Sequence, residues 1–173
     1  MSKKIILLGN SSSGKSTLAK KIVQTYNFPY LDLDTIVWKS GLTAQRRNFD
    51  YVYGDILCFM ENQPNWIIEG CYGDLISSIS QYGNRLIFLN LDIEICLNNC
   101  RQRPWEKHKY DSLEAQNANL EMLMTWIKEY PIREDEFSLS AHRQIFAKFE
   151  GEKVEYNHNW DETEVFSWLN TQD

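Results

Sequence analysis

Eight residues near the start of the chain, Gly9-Asn10-Ser11-Ser12-Ser13-Gly14-Lys15-Ser16, complete the pattern G-x-x-x-x-G-K-[ST]. Each residue type has a task at a phosphate. Gly9 and Gly14 permit backbone angles that a side chain blocks, so the N–H groups of Ser11, Ser12, Ser13 and their neighbours can converge on phosphate oxygens. A helix starting near Gly14 adds unsatisfied N–H groups and the positive end of its dipole. Lys15 is placed to reach the β- and γ-phosphates, and the Ser16 hydroxyl to ligate Mg²⁺. A glycine- and serine-rich turn before an ordinary helix would read similarly in isolation. Here an apolar run over residues 3–8 precedes the motif and a helical spacing over 17–23 follows it, which is the context a nucleotide-binding loop requires.

Three carboxylates are spaced to work beside such a loop. In Tyr30-Leu31-Asp32-Leu33-Asp34, apolar and acidic residues alternate, so a strand over 30–34 would carry Asp32 and Asp34 on one face at its carboxyl end. In an open parallel sheet that end borders the ligand crevice. One of the pair suits a metal-bound water; the other suits orienting or deprotonating an acceptor hydroxyl. A solvated acidic edge is the alternative. Trp66-Ile67-Ile68-Glu69-Gly70 is a short apolar strand ending in an acid, with Glu69 placed to hold water on Mg²⁺. Residues 101–110, with Arg101, Arg103, Pro104 and Trp105, have the make-up of a lid closing over phosphates; a helix end decorated with cations explains them too. Arg46 and Arg47, near the start of a helical stretch over 44–63, serve either an anion or the surface. Trp38, Tyr72 and Trp105 fit an acceptor pocket or a packed core equally.

These residues need a frame to position them. Strands are expected at 3–8, 30–34, 66–70, 85–91 and 153–157, with helices between them at 44–63, 74–81, 93–102, 111–130 and 138–149, and a last one at 161–170. Asp92 and Asp161 are placed as N-caps. Gln116, Asn117 and Asn119 are assigned to solvent, and His142 to a satisfied structural role. Strands alternating with helices imply a three-layer α/β domain with a parallel sheet, one domain over 1–173.

Composition narrows the function. Eighteen Lys and Arg against 24 Asp and Glu give a net charge of −6, which argues against general nucleic-acid binding. No apolar run approaches the roughly 18 residues of a membrane span, and the N-terminal apolar run is too short for a signal peptide, so a cytoplasmic protein is expected. Cys58, Cys71, Cys96 and Cys100 lack C-x-x-C spacing and are expected as reduced, mostly buried thiols.

With loop, strand ends and lid in this order, the chain resembles the P-loop kinases of the nucleoside monophosphate kinase and shikimate kinase group over essentially its full length. The resemblance implies a strand order of 2-3-1-4-5, ATP with Mg²⁺, an acceptor region between the second and third strands, and a lid at about 101–115. It assigns Gly14, Lys15, Ser16 and Thr17 to the ATP phosphates, Asp32 to the metal and Asp34 to the acceptor hydroxyl. It matches Arg103-Pro104 to the lid Arg-Pro, Arg133 to the arginine after the lid helices, and 157–160, with Asn157 and Asn159, to the adenine contact. Leu31 to Trp38 and Ile68 to Tyr72 are similar to bacterial adenylate-kinase-like proteins, some labelled "DNA topology modulation protein". Glu69-Gly70-Cys71-Tyr72-Gly73 has neither the Gly-x-Pro-Arg of the first group nor the triple glycine of the second, so neither substrate carries over. An ATP- and Mg²⁺-dependent phosphotransferase acting on a small metabolite hydroxyl or nucleotide is the expected function. A nucleotide-dependent ATPase or switch that captures a protein partner is the alternative.

Overall fold

The computed structural model describes residues 2–39, 45–107 and 111–171. Five strands form one parallel sheet: β1 (Lys4–Gly9), β2 (Tyr30–Asp32), β3 (Trp66–Gly70), β4 (Arg85–Leu89) and β5 (Glu152–Tyr156), in the order β2-β3-β1-β4-β5. The expected order and class hold. Helices α1 (Lys15–Tyr26), α2 (Asp34–Val37), α3 (Phe49–Met60), α4 (Gly73–Ile79), α5 (Ile93–Gln102), α6 (Leu113–Ala118), α7 (Leu120–Glu129), α8 (Leu139–Lys148) and α9 (Glu162–Asn170) surround it.

The alternation of β1 explains the layering. Ile5 and Leu7 point to one face and pack with Leu18 and Ile22 of α1 and Val165 and Leu169 of α9. Ile6 and Leu8 point to the other and pack with α3, α4 and α8 through Ile56, Leu75, Ile76 and Ile145. Both faces are covered, so β1 is apolar without a polar alternate, as a central parallel strand must be. A third, smaller cluster joins α5 to α7 through Leu91, Cys96, Leu97, Cys100 and Ile127. Among the described residues no helix is long and apolar enough to cross a membrane. The four cysteines are free thiols, with Cys96 and Cys100 buried and Cys58 exposed.

Several expectations are corrected by side chains that capture backbone groups. The helical stretch over 44–63 is shorter: the Asn48 side chain accepts from Asp50 N at 2.9 Å and caps α3, leaving Arg46 in a bridge to Trp38. The helix over 111–130 is two. Asn119, at φ −91° and ψ −1°, donates its side-chain amide to the Ala115 carbonyl at 2.9 Å and separates α6 from α7. The strand over 30–34 stops at Asp32, because Asp32 Oδ1 accepts from Asp34 N at 2.9 Å and turns the chain into α2. Gln116 is buried, not solvated. It donates to Pro104 O at 3.3 Å and accepts from Glu106 N at 2.8 Å, which fastens the stretch after α5 to α6.

His142, expected in a satisfied structural role, is a buried core residue, and it joins three segments. Its Nε2 lies 2.9 Å from the Cys71 carbonyl, which can only accept, so Nε2 carries the hydrogen. Nδ1 therefore accepts from the Tyr130 hydroxyl at 2.8 Å, a phenol that burial keeps protonated. Burial pulls the imidazole down to about 4, against the Cys71 bond, which favours the charged form. The unfolded chain thus takes up a proton below about 6.5 that the folded chain refuses until about 4, so stability is lost as pH falls through that window. In urea titrations, wild type should lose about 3 kcal/mol more between pH 7 and pH 4 than His142→Gln does. Parallel losses would remove His142 as the acid-sensitive joint.

Candidate active site

β1 ends at Gly9 with Gly9 against Leu89 of β4, and a Cβ on Gly9 would lie 2.5 Å from the Leu89 carbonyl oxygen. That close approach requires glycine. Gly14 sits at φ +92° as the residue before α1, and Ser12 at φ +59°, so the loop alternates hand as an anion-cradling backbone does. Asn10 fixes the loop from inside: its Oδ1 accepts from Ser11 N at 2.8 Å and its Nδ2 donates to Ile127 O of α7 at 3.2 Å. The buried Lys15 ammonium bonds the loop's own carbonyls, Asn10 O at 2.8 Å and Gly9 O at 3.2 Å.

The parallel register sets Asp32 of β2 opposite Glu69 of β3. Glu69 is 2% exposed. Burial raises its pKa, Lys15 opposes the rise, and Asp32 adds to it. The Tyr30 hydroxyl donates to Glu69 Oε1 at 2.7 Å and orients it. Among the described residues no group of three or more His, Cys, Asp or Glu side chains is arranged to hold a metal ion. Mg²⁺ asks for less: one or two carboxylates and a hydroxyl, the remaining positions being water and phosphate. Ser16, Asp32 and Glu69, gathered on one wall with two adjacent buried carboxylates, fit that demand.

A cleft of about 590 Å³ opens over this wall. Its lining contains Ser11, Ser12, Gly14, Lys15, Ser16, Thr17, Asp32, Asp34, Glu69, Arg103 and Asn159 of the residues singled out by sequence, together with Lys20, Cys71, Asn99, Glu106 and Trp160. Asp34 reaches it although it belongs to α2, because the turn at Asp32 keeps both carboxylates together. Arg103 Nη1 pairs with Glu106 Oε2 at 3.1 Å. Of the lid stretch 101–115, residues 108–110 lie outside the described residues. Beside the loop Asn159 Oδ1 accepts from Asn99 Nδ2 at 3.1 Å, and Asn99 also donates to Ser12 O at 3.2 Å. Trp160 stands so near Gly14 that a Cβ there would be 3.2 Å from its indole nitrogen.

Gly9, Ser13, Asn157 and Arg133 are not among the residues lining the cleft, nor are the aromatics Trp38, Tyr72 and Trp105. Gly9 and Ser13 are buried members of the loop, Asn157 is exposed beside His158, and Arg133 stacks on Trp126 with its guanidinium 3.4 Å from the ring centroid. Glu129 at 3.3 Å and Asp135 at 3.6 Å hold Arg133 there, both local carboxylates. Sequence reasoning missed Tyr30, Asn99 and Lys20. A tyrosine leading the strand that carries Asp32 was the available signal for the first.

Arg46 is engaged by carboxylates, not open to an anion. Its Nη2 forks onto both Asp74 oxygens at 2.9 and 2.7 Å, and its Nη1 meets Glu136 at 2.5 Å. Burial alone would weaken its charge; Asp74 and Glu136 outweigh this and raise its pKa. The guanidinium also lies 5.6 Å from the Tyr72 ring centroid and 5.7 Å from that of Phe137. Arg46→Lys keeps the charge but loses the planar fork, and should lower the urea unfolding free energy by about 1–2 kcal/mol. A lysine variant as stable as wild type would show that the fork is unimportant.

No family model matches the chain, and no curated protein matches it in sequence. Solved structures do match its fold. It is similar to a shikimate kinase from Bacteroides thetaiotaomicron (TM-score 0.52, 16% identity, 96% of this chain and 94% of that one). It is similar to a gluconokinase from Sinorhizobium meliloti 1021 (TM-score 0.53, 14% identity, 95% and 87%). It is also similar to a sugar kinase from Janibacter sp. HTCC2649 (TM-score 0.56, 11% identity, 99% and 96%). At these identities the likeness is one of fold, which this chain shares with the three kinases.

Proposed function

We propose that this chain is an ATP- and Mg²⁺-dependent phosphotransferase that acts in the cytoplasm on a small-molecule acceptor, through a metabolite hydroxyl or a nucleotide. The observation that carries the reading is one cleft lined both by Ser11, Ser12 and Gly14 to Thr17 of the phosphate loop and by Asp32, Asp34 and Glu69. Structural likeness to kinases of shikimate, gluconate and sugar supports it. In this reading the loop amides from Ser11 to Thr17 and the Lys15 ammonium hold the phosphates, and Lys15 exchanges its bonds to Gly9 and Asn10 for phosphate oxygens. Ser16, Asp32 and Glu69 would hold Mg²⁺, which would supply positive charge against the phosphates. Asn159 and Trp160 border the base. Asp34 orients the acceptor hydroxyl in line, and Arg103, from the lid side, faces the charge of the transferring group. Arg133, held on Trp126, lies outside this set.

The test is ADP release from Mg²⁺–ATP with two acceptor pools, nucleoside monophosphates in one and hydroxylated metabolites in the other. One pool should stimulate release, Lys15→Ala should abolish it, and Asp34→Ala should cut the stimulated rate by about 10²-fold or more while sparing ATP affinity. Equal stimulated rates for wild type and Asp34→Ala would sink the acceptor role. Release that neither pool changes would return the chain to the class of nucleotide-dependent switches.

A further inference from the structure

Asp34 does not hold itself in place. Two residues beyond the end of β3, Tyr72 stands 2% exposed, and its hydroxyl lies 2.6 Å from Asp34 Oδ1 and 2.9 Å from the Trp38 indole nitrogen. The direction of both bonds follows from the groups. An indole N–H can only donate, so the phenol oxygen accepts from Trp38 and gives its single hydrogen to the Asp34 carboxylate. Burial, with Asp34 next to it, raises the Tyr72 pKa far above the ordinary phenol range, so that hydrogen stays available.

The ring carrying this hydroxyl is fixed from several sides. Phe137 meets it edge-on with centroids 5.4 Å apart, and Arg46, itself clamped by Asp74 and Glu136, covers one face. A Cβ on Gly70 would lie 3.0 Å from Tyr72 Cδ2 and 2.9 Å from Leu33 Cδ1, so the glycine after Glu69 is what lets the ring sit there. Packing alone accounts for a phenylalanine at this position. It does not account for a hydroxyl taking one bond from a tryptophan and delivering another to a cleft carboxylate.

We propose that Tyr72 is the positioning residue of the transfer step, its hydroxyl backed by Trp38 and fixing Asp34 in the orientation in which it meets the acceptor hydroxyl. The proposal rests on the phosphotransferase reading above. The chain Trp38–Tyr72–Asp34 sets that orientation before the acceptor arrives, so the freezing of one carboxylate is done by folding and not by binding. Trp38 is 40% exposed, so its substitution disturbs little of the core.

Two measurements test this. The first needs no turnover: ¹⁵N–¹H spectra of the tryptophan indoles, with the Trp38 resonance assigned through Trp38→Phe. Tyr72→Phe and Asp34→Asn should each shift it, the second because the phenol hydrogen loses its ionic acceptor. The second is kinetic, on the acceptor pool that stimulates ADP release. Tyr72→Phe should lower kcat about tenfold with KM for ATP unchanged, and Trp38→Phe should lower it less. Phe137→Leu, which loosens the ring without touching the hydroxyl, should keep most of the turnover. A Trp38 resonance indifferent to both substitutions overturns the proposal, as does a Tyr72→Phe kcat equal to that of wild type or matched by Phe137→Leu. Failure of the underlying reading is recognised separately, because wild type would then respond to no acceptor before any substitution is made; the proposal would fall with it.

Discussion

The parallel register of β3 between β1 and β2 is the constraint on which the site depends. It pairs Asp32 with Glu69 and Leu8 with Gly70, so three strands reach their carboxyl ends at nearly one level. The phosphate loop, the Asp32–Asp34 turn and the Gly70–Tyr72 segment all leave the sheet there. Because side chains alternate along a strand, a slip of one residue in β3 would turn Glu69 away from Asp32 and bring an isoleucine or glycine to the cleft. What forbids the slip is burial: Ile67 belongs to the α1 side and Ile68 to the α3 side, each packed in its own core. The apolar layers thus fix a polar geometry to which they contribute no atom.

That geometry gathers charges that water does not screen well. Glu69 and Lys15 are both buried, and the Tyr30 hydroxyl steadies the carboxylate. The loop meets its own lysine with two carbonyls, and Asn10 ties it to α7 across 117 positions of sequence. The Asn10 tie fixes the loop's shape in advance, whereas the two Lys15 bonds are those that the proposed phosphate contacts would replace.

The parts legible in sequence were those whose chemistry is local. Residues 9–16 show the loop pattern in consecutive positions and the five apolar runs show the strands, while the order of those strands, which the sheet bears out, came from the family resemblance. Asp92 and Asp161 were legible as caps because a cap bonds two or three residues ahead, as both do. What sequence could not display is partnership at long separation. Arg46 read as a cation for an anion or for the surface, yet its partners are Asp74 and Glu136, 28 and 90 positions away. Gln116 looked solvent-facing because nothing in its helix shows that the stretch after α5 needs fastening. Arg133 was placed in the site by resemblance, and the local carboxylates at 129 and 135 with the Trp126 ring keep it elsewhere.

The fate of the arginines bears on how a nucleotide would sit here. Arg46 and Arg133 are each matched by two carboxylates away from the cleft lining, so the cations that line it among the described residues are Lys15, Lys20 and Arg103. They share the cleft with Asp32, Asp34, Glu69 and Glu106, four carboxylates against three cations. A triphosphate adds several further negative charges to a wall that is already balanced towards acid, and in a partly buried cleft such repulsion is felt more strongly than in water. In the proposed reaction a divalent cation held by Ser16, Asp32 and Glu69 would supply the positive charge that offsets this repulsion, so the acidic wall and the metal belong to one reading.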